Sequence, residues 1–300
     1  MGTEVIQRGA DEFTVTFMDS LHDCLSTDFG MIPGLSRITI GNGETSFAEG
    51  SLYIHIRGDV TRVSVSEISF NSTFVTAIAF ADLSAGLIRS GRDAQTGDGE
   101  IVLLILMDSD MPDSTLARAG ITATEAITAA VQDLGLAYDG IPASGSIRQT
   151  VVTIRSKDCG MYLRGAGKHT KLGELIGRST IEAVKGSAAD NGITINTRAS
   201  LMEMMDGYGY DQDRIFSLSG CQDYSQFLLK LLEKDADPRA VATVSAVLHI
   251  WNEISWGLVD EGTGTEAGMG LIGVGLREPV RSTNLLDTLA LNVALYFMDD

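Results

Sequence analysis

Residues 165–178 read Gly165-Ala166-Gly167-Lys168-His169-Thr170-Lys171-Leu172-Gly173-Glu174-Leu175-Ile176-Gly177-Arg178, a glycine-rich loop that leads into a helix. The first backbone N–H groups of a helix have no partner within it, and the helix dipole favours negative charge there. Two lysines and a histidine beside these groups suit the segment to hold an anion or a developing oxyanion. Glu174 lies one helical turn beyond Thr170, so we expect both side chains on the same side of the helix.

A nucleotide-binding P-loop is disfavoured for this segment. That motif needs a glycine five residues before the Gly-Lys pair and a Ser or Thr directly after the lysine. Tyr162 and His169 occupy those positions. A purely structural interpretation also stands. The glycines let the loop turn, Gly173 and Gly177 allow close packing of one helix face, and His169 is a surface histidine.

The composition predicts a soluble globular protein with a substantial core. The chain has 300 residues, of which 44% are hydrophobic, which allows one large domain or two ordinary ones. The chain contains 22 Lys and Arg residues and 40 Asp and Glu residues, which gives a net charge of −18. Nucleic acid binding needs the opposite balance, because phosphate contacts supply most of its affinity. We therefore expect no nucleic acid partner.

The cysteines and the apolar runs indicate a cytoplasmic location. Cys24, Cys159 and Cys221 are far apart and form no Cys-x-x-Cys pair, which favours a reducing compartment. The first residues lack the apolar run of a signal peptide. The apolar stretch 101–107 is too short to span a bilayer, so we expect no membrane partner.

Apolar patterning predicts an α/β fold, with α+β as the alternative, built on a mixed sheet with flanking helices. Segments of alternating or β-branched residues predict strands at Glu12–Phe17, Arg37–Ile40, Ser51–Arg57, Thr61–Val65 and Thr150–Ile154. The unbroken apolar run Ile101–Met107 predicts a strand buried on both faces. Helices are predicted over the Ala-rich segment Ser69–Ser90, from Asp113 or Ser114 to about Leu134, and from Thr170 to about Lys185.

The segment Ala188–Gly192 is the best candidate boundary, giving an α/β domain at 1–190 and a mostly helical elaboration at 191–300. Helices are predicted at Tyr224–Glu233, Arg239–Trp256 and Ser282–Met298. Glu261–Glu266 is predicted as a loop and Met269–Leu276 as a glycine-rich strand. Together with the predicted helix at Ser282–Met298, these two segments have the order loop, strand, loop, helix. Residues 144–172 have the same predicted order, which suggests a pseudo-repeat.

Three stretches of the chain carry a family resemblance, namely Thr122–Ala126, Ala143–Ser146 with Thr150–Val152, and Gly167–Arg178. Together they resemble the adenosylcobinamide amidohydrolases, a family of corrinoid salvage enzymes of archaea and some bacteria. Thr122–Ala126 is similar to the family's Ala-Thr-Glu-Ala on a helix. Ala143–Ser146, followed by Thr150–Val152, resembles an Ala-Thr-Gly-Thr loop and strand. Gly167–Arg178 resembles the run Gly-Thr-His-Thr-Lys-Leu-Gly-Glu-Leu-Ile-Gly-Arg. The order and spacing of the three also agree.

The resemblance implies hydrolysis of the amide that joins aminopropanol to adenosylcobinamide, which gives adenosylcobyric acid. Such chemistry needs a water nucleophile, a base, an oxyanion stabiliser and an acid for the leaving amine. His169 is the candidate acid or base, because its pKa lies nearest neutrality. The amides of Thr170–Leu172, with Lys168 or Lys171, are the candidate oxyanion stabilisers. Glu174 is expected to orient His169 or to activate water.

Further residues are candidates for contacts with the substrate. They are Gly167, Lys168, Ser144, Gly145, Ser146, Glu125, Thr124 and Glu266. Ser144, Ser146 or Thr170 could instead be the nucleophile, since no Gly-x-Ser-x-Gly elbow favours one of them. Glu125 can equally be an ordinary solvent-facing carboxylate.

Two departures from the family pattern keep a second function open. Ile147-Arg148-Gln149 stands where an aspartate is expected, and Gly99-Glu100 stands where Asn-Thr is expected. These changes favour the alternative of a non-catalytic corrinoid-binding or sensing protein. Glu266, in the segment Gly262–Glu266, is a hypothetical replacement carboxylate.

No metal cofactor is predicted, because His22, His55, His169 and His249 form no His-Glu-x-x-His or His-x-His pair. The cobalt-containing corrinoid is expected as substrate or ligand. Self-association into a homo-oligomer is left open, and an assembly subunit that uses the Met- and Trp-containing C-terminal helices is a third alternative.

Overall fold

The computed structural model describes residues 4–18, 22–43, 49–92, 97–138, 141–157, 159–193 and 200–299. The chain divides into two compact units. The first comprises residues 1–136 and 142–195, and the second comprises residues 137–141 and 196–300.

Apart from strand residues within 137–141, which belong to the second unit, the strands belong to the first unit. In chain order they are β1 (Glu4–Arg8), β2 (Glu12–Phe17), β3 (His22–Ser26), β4 (Gly30–Ile32), β5 (Arg37–Gly41), β6 (Ser51–His55), β7 (Ser64–Phe70), β8 (Thr73–Asp82), β9 (Leu87–Ile88), β10 (Glu100–Met107), β11 (Ala137–Tyr138), β12 (Ile141–Pro142), β13 (Gly145–Ser146) and β14 (Arg148–Ser156). Two α-helices belong to this unit, α1 (Asp113–Asp133) and α2 (Lys171–Asp190).

Two sheets pack face to face in this unit. A four-stranded sheet has the order β1-β2-β5-β6, and a six-stranded sheet has the order β4-β3-β14-β10-β8-β7. The parallel pair β10 and β14 lies at the centre of the larger sheet, with antiparallel neighbours on both sides. A core of apolar side chains from both sheets fills the space between them, including Phe13, Ile38, Phe80 and Leu104.

The opposite face of the six-stranded sheet carries the two helices. α1 connects β10 to β14 and packs on β14, while α2 packs on β7, β8 and α1. β10 is buried along its whole length, as the unbroken apolar run predicts. The strand–helix–strand–helix prediction for residues 101–185 is therefore confirmed. One detail differs, because Pro112 precedes α1 and no side chain caps its start.

The prediction of a helix over Ser69–Ser90 is wrong. The segment forms the end of β7, the long strand β8 and the short β9. Ile78 and Phe80 face the core between the sheets. The intervening residues Ala77, Ala79 and Ala81 are fully buried on the face that packs against α2. Small side chains there let the helix approach the sheet, so alanine reflects packing rather than helix propensity.

The second unit is helical. Its α-helices are α3 (Leu201–Asp206), α4 (Gln212–Ser219), α5 (Tyr224–Lys234), α6 (Pro238–Ser255), α7 (Glu261–Gly275) and α8 (Leu285–Met298). They enclose a core of their own that includes Phe227, Val244, Leu289 and Phe297. The mixed sheet, the flanking helices and this helical region confirm the predicted fold class, in its α+β form.

The predictions of a loop at Glu261–Glu266 and a strand at Met269–Leu276 are wrong, since both segments belong to α7. Three glycines of this helix pack closely against neighbours. A Cβ at Gly264, Gly268 or Gly275 would lie 2.6, 2.5 and 1.7 Å from Ile254, Leu285 and Thr243 respectively. The glycines thus permit close helix packing, and the proposed loop–strand pseudo-repeat is not present.

Candidate functional site

Residues 163–170 are held along α1 by buried threonines. The hydroxyl of Thr115 donates to the carbonyl of Arg164 at 2.9 Å, and that of Thr122 donates to the carbonyl of Ala166 at 2.7 Å. Each hydroxyl donates a hydrogen bond to a backbone carbonyl that lies against α1. A buried carbonyl without a hydrogen-bond donor would lower the stability of the fold. α1 therefore fixes the course of the glycine-rich loop before α2 begins.

Thr170 caps the N-terminus of α2. Its hydroxyl accepts from the amide of Gly173 at 3.1 Å and donates to the carbonyl of Gly167 at 2.8 Å. The Thr170 amide donates to the same carbonyl, also at 2.8 Å. This amide is thus already engaged, which removes it from the predicted set of oxyanion donors. The hydroxyl of Thr170 serves the helix cap.

A close backbone contact joins the loop to the first turn of α2. A Cβ at Gly173 would lie 2.1 Å from the carbonyl oxygen of Gly167 and 2.9 Å from the amide nitrogen of Lys168. Residue 173 must therefore be glycine if the loop is to keep its position. Gly177 differs from the prediction, because a Cβ there would meet nothing within 4 Å.

His169 is exposed beside Gly167 and Arg118. A Cβ at Gly167 would lie 2.9 Å from the Cε1 atom of His169 and 3.9 Å from the Nε atom of Arg118. The imidazole therefore packs against the glycine backbone, next to a guanidinium that the sequence analysis did not single out. The spacing of Arg118, Ile121 and Glu125 along one helix face could have revealed it.

Lys168 reaches back to α1. Its ammonium lies 3.1 Å from the carboxylate of Glu125, although the two residues are 43 positions apart in sequence. Their side chains are 75% and 48% exposed respectively, so a ligand can reach both. The half-exposed Ile121 lies one turn before Glu125 and adds an apolar surface to the same face.

Glu174 pairs with cations of its own helix. Its carboxylate accepts from the ammonium of Lys171 at 2.5 Å and lies 4.0 Å from the guanidinium of Arg178. The hydrogen bond from Lys171 is the main cause that lowers the pKa of Glu174 below its ordinary value. Lys171 also lies over the ring of Phe70, 4.7 Å from its centroid. The carboxylate of Glu174 is therefore engaged by Lys171, and this ion pair competes with the contact to His169 that the sequence analysis predicts.

The segment Ser144–Ser146 joins the next turn of α1. The hydroxyl of Thr128 donates to the carbonyl of Ser144 at 2.9 Å and lies 3.3 Å from that of Thr124. The hydroxyl of Ser144 accepts from the amide of Ser90 at 2.9 Å. The exposed face of α1 thus connects the Glu125–Lys168 pair to Ser144.

Gly145 and Ser146 form β13, which pairs with β9. The hydroxyl of Ser146 lies 3.4 Å from the carbonyl of Gly86, and the side chain is buried. The Ser144 and Ser146 hydroxyls both contact the 86–90 segment.

The two departures from the family pattern lie side by side. Glu100 and Arg148 are register partners at the start of β10 and β14, and their charged groups approach to 3.8 Å. Glu100 is buried and also accepts from the amide of Arg57 at 3.1 Å. Arg148 donates to the carbonyl of Asp98 at 2.8 Å. A charged pair therefore joins the two segments, Gly99-Glu100 and Ile147–Gln149, in which the resemblance leads us to expect Asn-Thr and an aspartate.

Glu266 lies on the exposed surface of α7 in the second unit. Its contribution of a carboxylate remains a hypothesis. Within the described part of the chain, no group of three or more His, Cys, Asp or Glu side chains is arranged to hold a metal ion. No helix in that part is long and apolar enough to cross a membrane.

The first unit is thus an α+β domain whose second helix begins at a lysine- and histidine-bearing loop. Residues 55–194 match the family model described as adenosylcobinamide amidohydrolase. The match confirms the resemblance inferred from the three stretches and encloses all of them. It also contains Arg57, Glu100 and Arg148.

The chain is also similar to an archaeal protein and to solved structures. The uncharacterized protein MJ1613 of Methanocaldococcus jannaschii is 28% identical over 42% of this chain, which spans 59% of that protein. The PH0078 protein of Pyrococcus horikoshii OT3 shows a TM-score of 0.35 at 9% identity, over 63% of this chain and 82% of that one. A Burkholderia sp. beta-aminopeptidase shows a TM-score of 0.34 at 6% identity over the same shares. Structural similarity at this level supports no conclusion about function.

Proposed function

We propose that this protein is an amidohydrolase of corrinoid salvage. It would cleave the aminopropanol amide of adenosylcobinamide and release adenosylcobyric acid. The observation that carries the proposal is the family match over residues 55–194, with the Gly167–Arg178 run at the start of α2. A cytoplasmic location belongs to the same proposal.

His169 is the proposed general acid and base. It is exposed at the loop that α1 and the Gly167–Gly173 contact hold in place. Imidazole can take a proton from water and return it to the leaving amine near neutral pH. The corrinoid enters as the substrate, and water is the proposed nucleophile.

The proposed oxyanion site lies at the start of α2. Lys168 and Lys171 place two ammonium groups beside the first turn of a helix whose dipole favours negative charge. These cations lie in a protein of net charge −18, so the loop is a local exception to an acidic composition. The Glu125–Lys168 pair would hold one ammonium against α1 until substrate displaces or joins it.

A non-catalytic corrinoid-binding protein is the second candidate. The pairing of Glu100 with Arg148 favours it, because both depart from the family pattern and contact each other. Under this alternative, the loop and helix start bind the corrinoid and the amide stays intact.

The experiment is incubation of the purified 300-residue protein with adenosylcobinamide, followed by mass spectrometry for adenosylcobyric acid. We expect wild type to form product and His169→Ala to lose it. His249→Ala is the matched control, because His249 is an exposed histidine of α6 that pairs with Glu253. A parallel binding titration separates the candidates: tight binding without product supports the binding protein, and neither binding nor product contradicts both.

A further inference from the structure

A pocket of about 260 Å³ opens between the two sheets of the first unit. It lies where β10 and β14 reach their carboxyl ends, the edge at which α/β sheets commonly bind ligands. The residues that line it include Phe17, His22, Glu67, Phe74, Asp108 and Ser156.

The pocket is separate from the proposed amidohydrolase site. Side chains of β14 alternate between two faces. Thr153 donates to the carbonyl of Leu116 in α1, and Arg155 donates to the carbonyl of Met111, just before α1 begins. Ile154 instead belongs to the core between the sheets and lines the pocket. The pocket thus lies on the sheet face opposite to the helices and the glycine-rich loop.

A buried hydrogen-bonded pair forms one wall. His22 is 3% exposed, and its Nε2 atom lies 2.9 Å from the hydroxyl of Ser156. The imidazole stacks on the ring of Phe17, with the ring centroids 4.3 Å apart. These contacts hold the side chains of His22 and Ser156 in place at the wall of the pocket, and the pocket stays open.

The ionisable groups of the lining are two carboxylates and His22. Glu67 accepts from the hydroxyl of Thr76 at 3.4 Å, and Asp108 lies at the end of β10. None of the described lining residues is Lys or Arg. Arg155 in β14 and Lys157, which follows β14, lie 2.8 and 2.6 Å from the carboxylate of Asp23.

We propose that this pocket binds a small organic cation, specifically a protonated primary amine. An ammonium has three donors, which suit the acceptors Glu67, Asp108 and Ser156. Its alkyl part would contact Phe17 and Phe74, whose rings also attract cations. The pocket volume is below the roughly 300–1,000 Å³ of sites that bind drug-sized ligands, so the pocket fits a smaller molecule. A corrinoid is far too large for it. The inference therefore does not depend on the proposed function.

The test is a titration of the 300-residue protein with n-propylammonium chloride, followed through the NMR signal of the methyl group of Met107, which is buried and lines the pocket. Propan-1-ol and sodium propionate are the neutral and anionic controls. We expect saturable binding of the amine alone. Loss of one charge-assisted hydrogen bond in Glu67→Gln should weaken binding about tenfold.

Glu182→Gln is the matched control, because Glu182 also borders β7, through a 2.8 Å hydrogen bond to Ser66, yet does not line the pocket. It should leave amine binding unchanged. Ser156→Ala, expected to weaken binding by a smaller factor, replaces Glu67→Gln if that variant does not fold. Equal binding of propanol or propionate, an absence of saturation, or unchanged affinity in both lining variants would overturn the proposal.

Discussion

Substitution of Gly173 by alanine tests whether the backbone contact at the start of α2 positions the candidate site. The new Cβ would lie 2.1 Å from the carbonyl oxygen of Gly167, and ordinary contact begins at 3.4 Å. The loop or the helix must therefore retreat by about 1.3 Å. The blocking atoms belong to the backbone and cannot rotate away. We therefore expect an overpacking cost in the upper half of the range of roughly 1–3 kcal/mol.

Gly177→Ala is the matched control on the same helix. Alanine is more favourable than glycine within a helix by roughly 0.5–1 kcal/mol, and this gain applies at both positions. Nothing lies within 4 Å of a Cβ at Gly177, so that variant should be more stable than wild type. Gly173→Ala should be less stable by a net of about 1–2 kcal/mol, the difference between the two effects.

Thermal unfolding followed by far-ultraviolet circular dichroism measures the change. For a unit of this size, each kcal/mol shifts Tm by about 2–4 °C. Hydrogen exchange of peptides covering residues 163–178 should locate the effect in the loop. Product formation should fall by up to about a hundredfold if the loop moves by an ångström. A Gly173→Ala variant as stable and as active as Gly177→Ala would refute the reasoning.

Three further changes probe the loop and the sheet edge. Glu125→Gln should alter the free energy of unfolding by less than about 1 kcal/mol, because the ion pair of Glu125 with Lys168 is exposed. The same variant should lower the rate of amide cleavage, and an unchanged rate would exclude a role for this pair. Thr122→Val leaves the carbonyl of Ala166 unpaired and should cost about 1–3 kcal/mol in urea unfolding, with faster hydrogen exchange in the loop. Asp23→Asn should cost about 1–3 kcal/mol at neutral pH, because it removes the buried carboxylate that pairs with Arg155 and Lys157, while Arg155 keeps its pair with Asp113. Burial raises the pKa of Asp23, but hydrogen bonds from its cationic partners outweigh that effect and lower it. Its contribution is therefore complete above the unfolded value of 3.8 and is lost as pH falls through the folded value, so wild type and variant should converge only below about pH 3.8.

The elements around the candidate site could be predicted because their sequence signals agree with their packing. β10 is an unbroken apolar run and is buried on both faces, while α2 follows a threonine that caps it. The register of β10 on β14 could not be predicted, because it depends on contacts between distant residues. The pairing of Glu100 with Arg148 and of Glu125 with Lys168 follows from that register and from the course of the loop.

The errors arose where alanine or glycine serves close packing. In β8, alanines make room for α2, although alanine usually indicates a helix. In α7, glycines let neighbouring helices approach, although a Gly-rich segment usually indicates loop or strand. In both cases the small side chain is explained by the element that packs against it. Which element that is depends on the tertiary fold and cannot be read from the local sequence.

The most direct test of the proposed function is the reaction of adenosylcobinamide with the protein in ¹⁸O-labelled water, analysed by mass spectrometry. Hydrolysis at the aminopropanol amide predicts adenosylcobyric acid with one ¹⁸O atom in the new carboxylate, formed by wild type and by His249→Ala but not by His169→Ala. Unlabelled product, product formed equally by His169→Ala, or substrate recovered intact would contradict an amidohydrolase that uses water and His169.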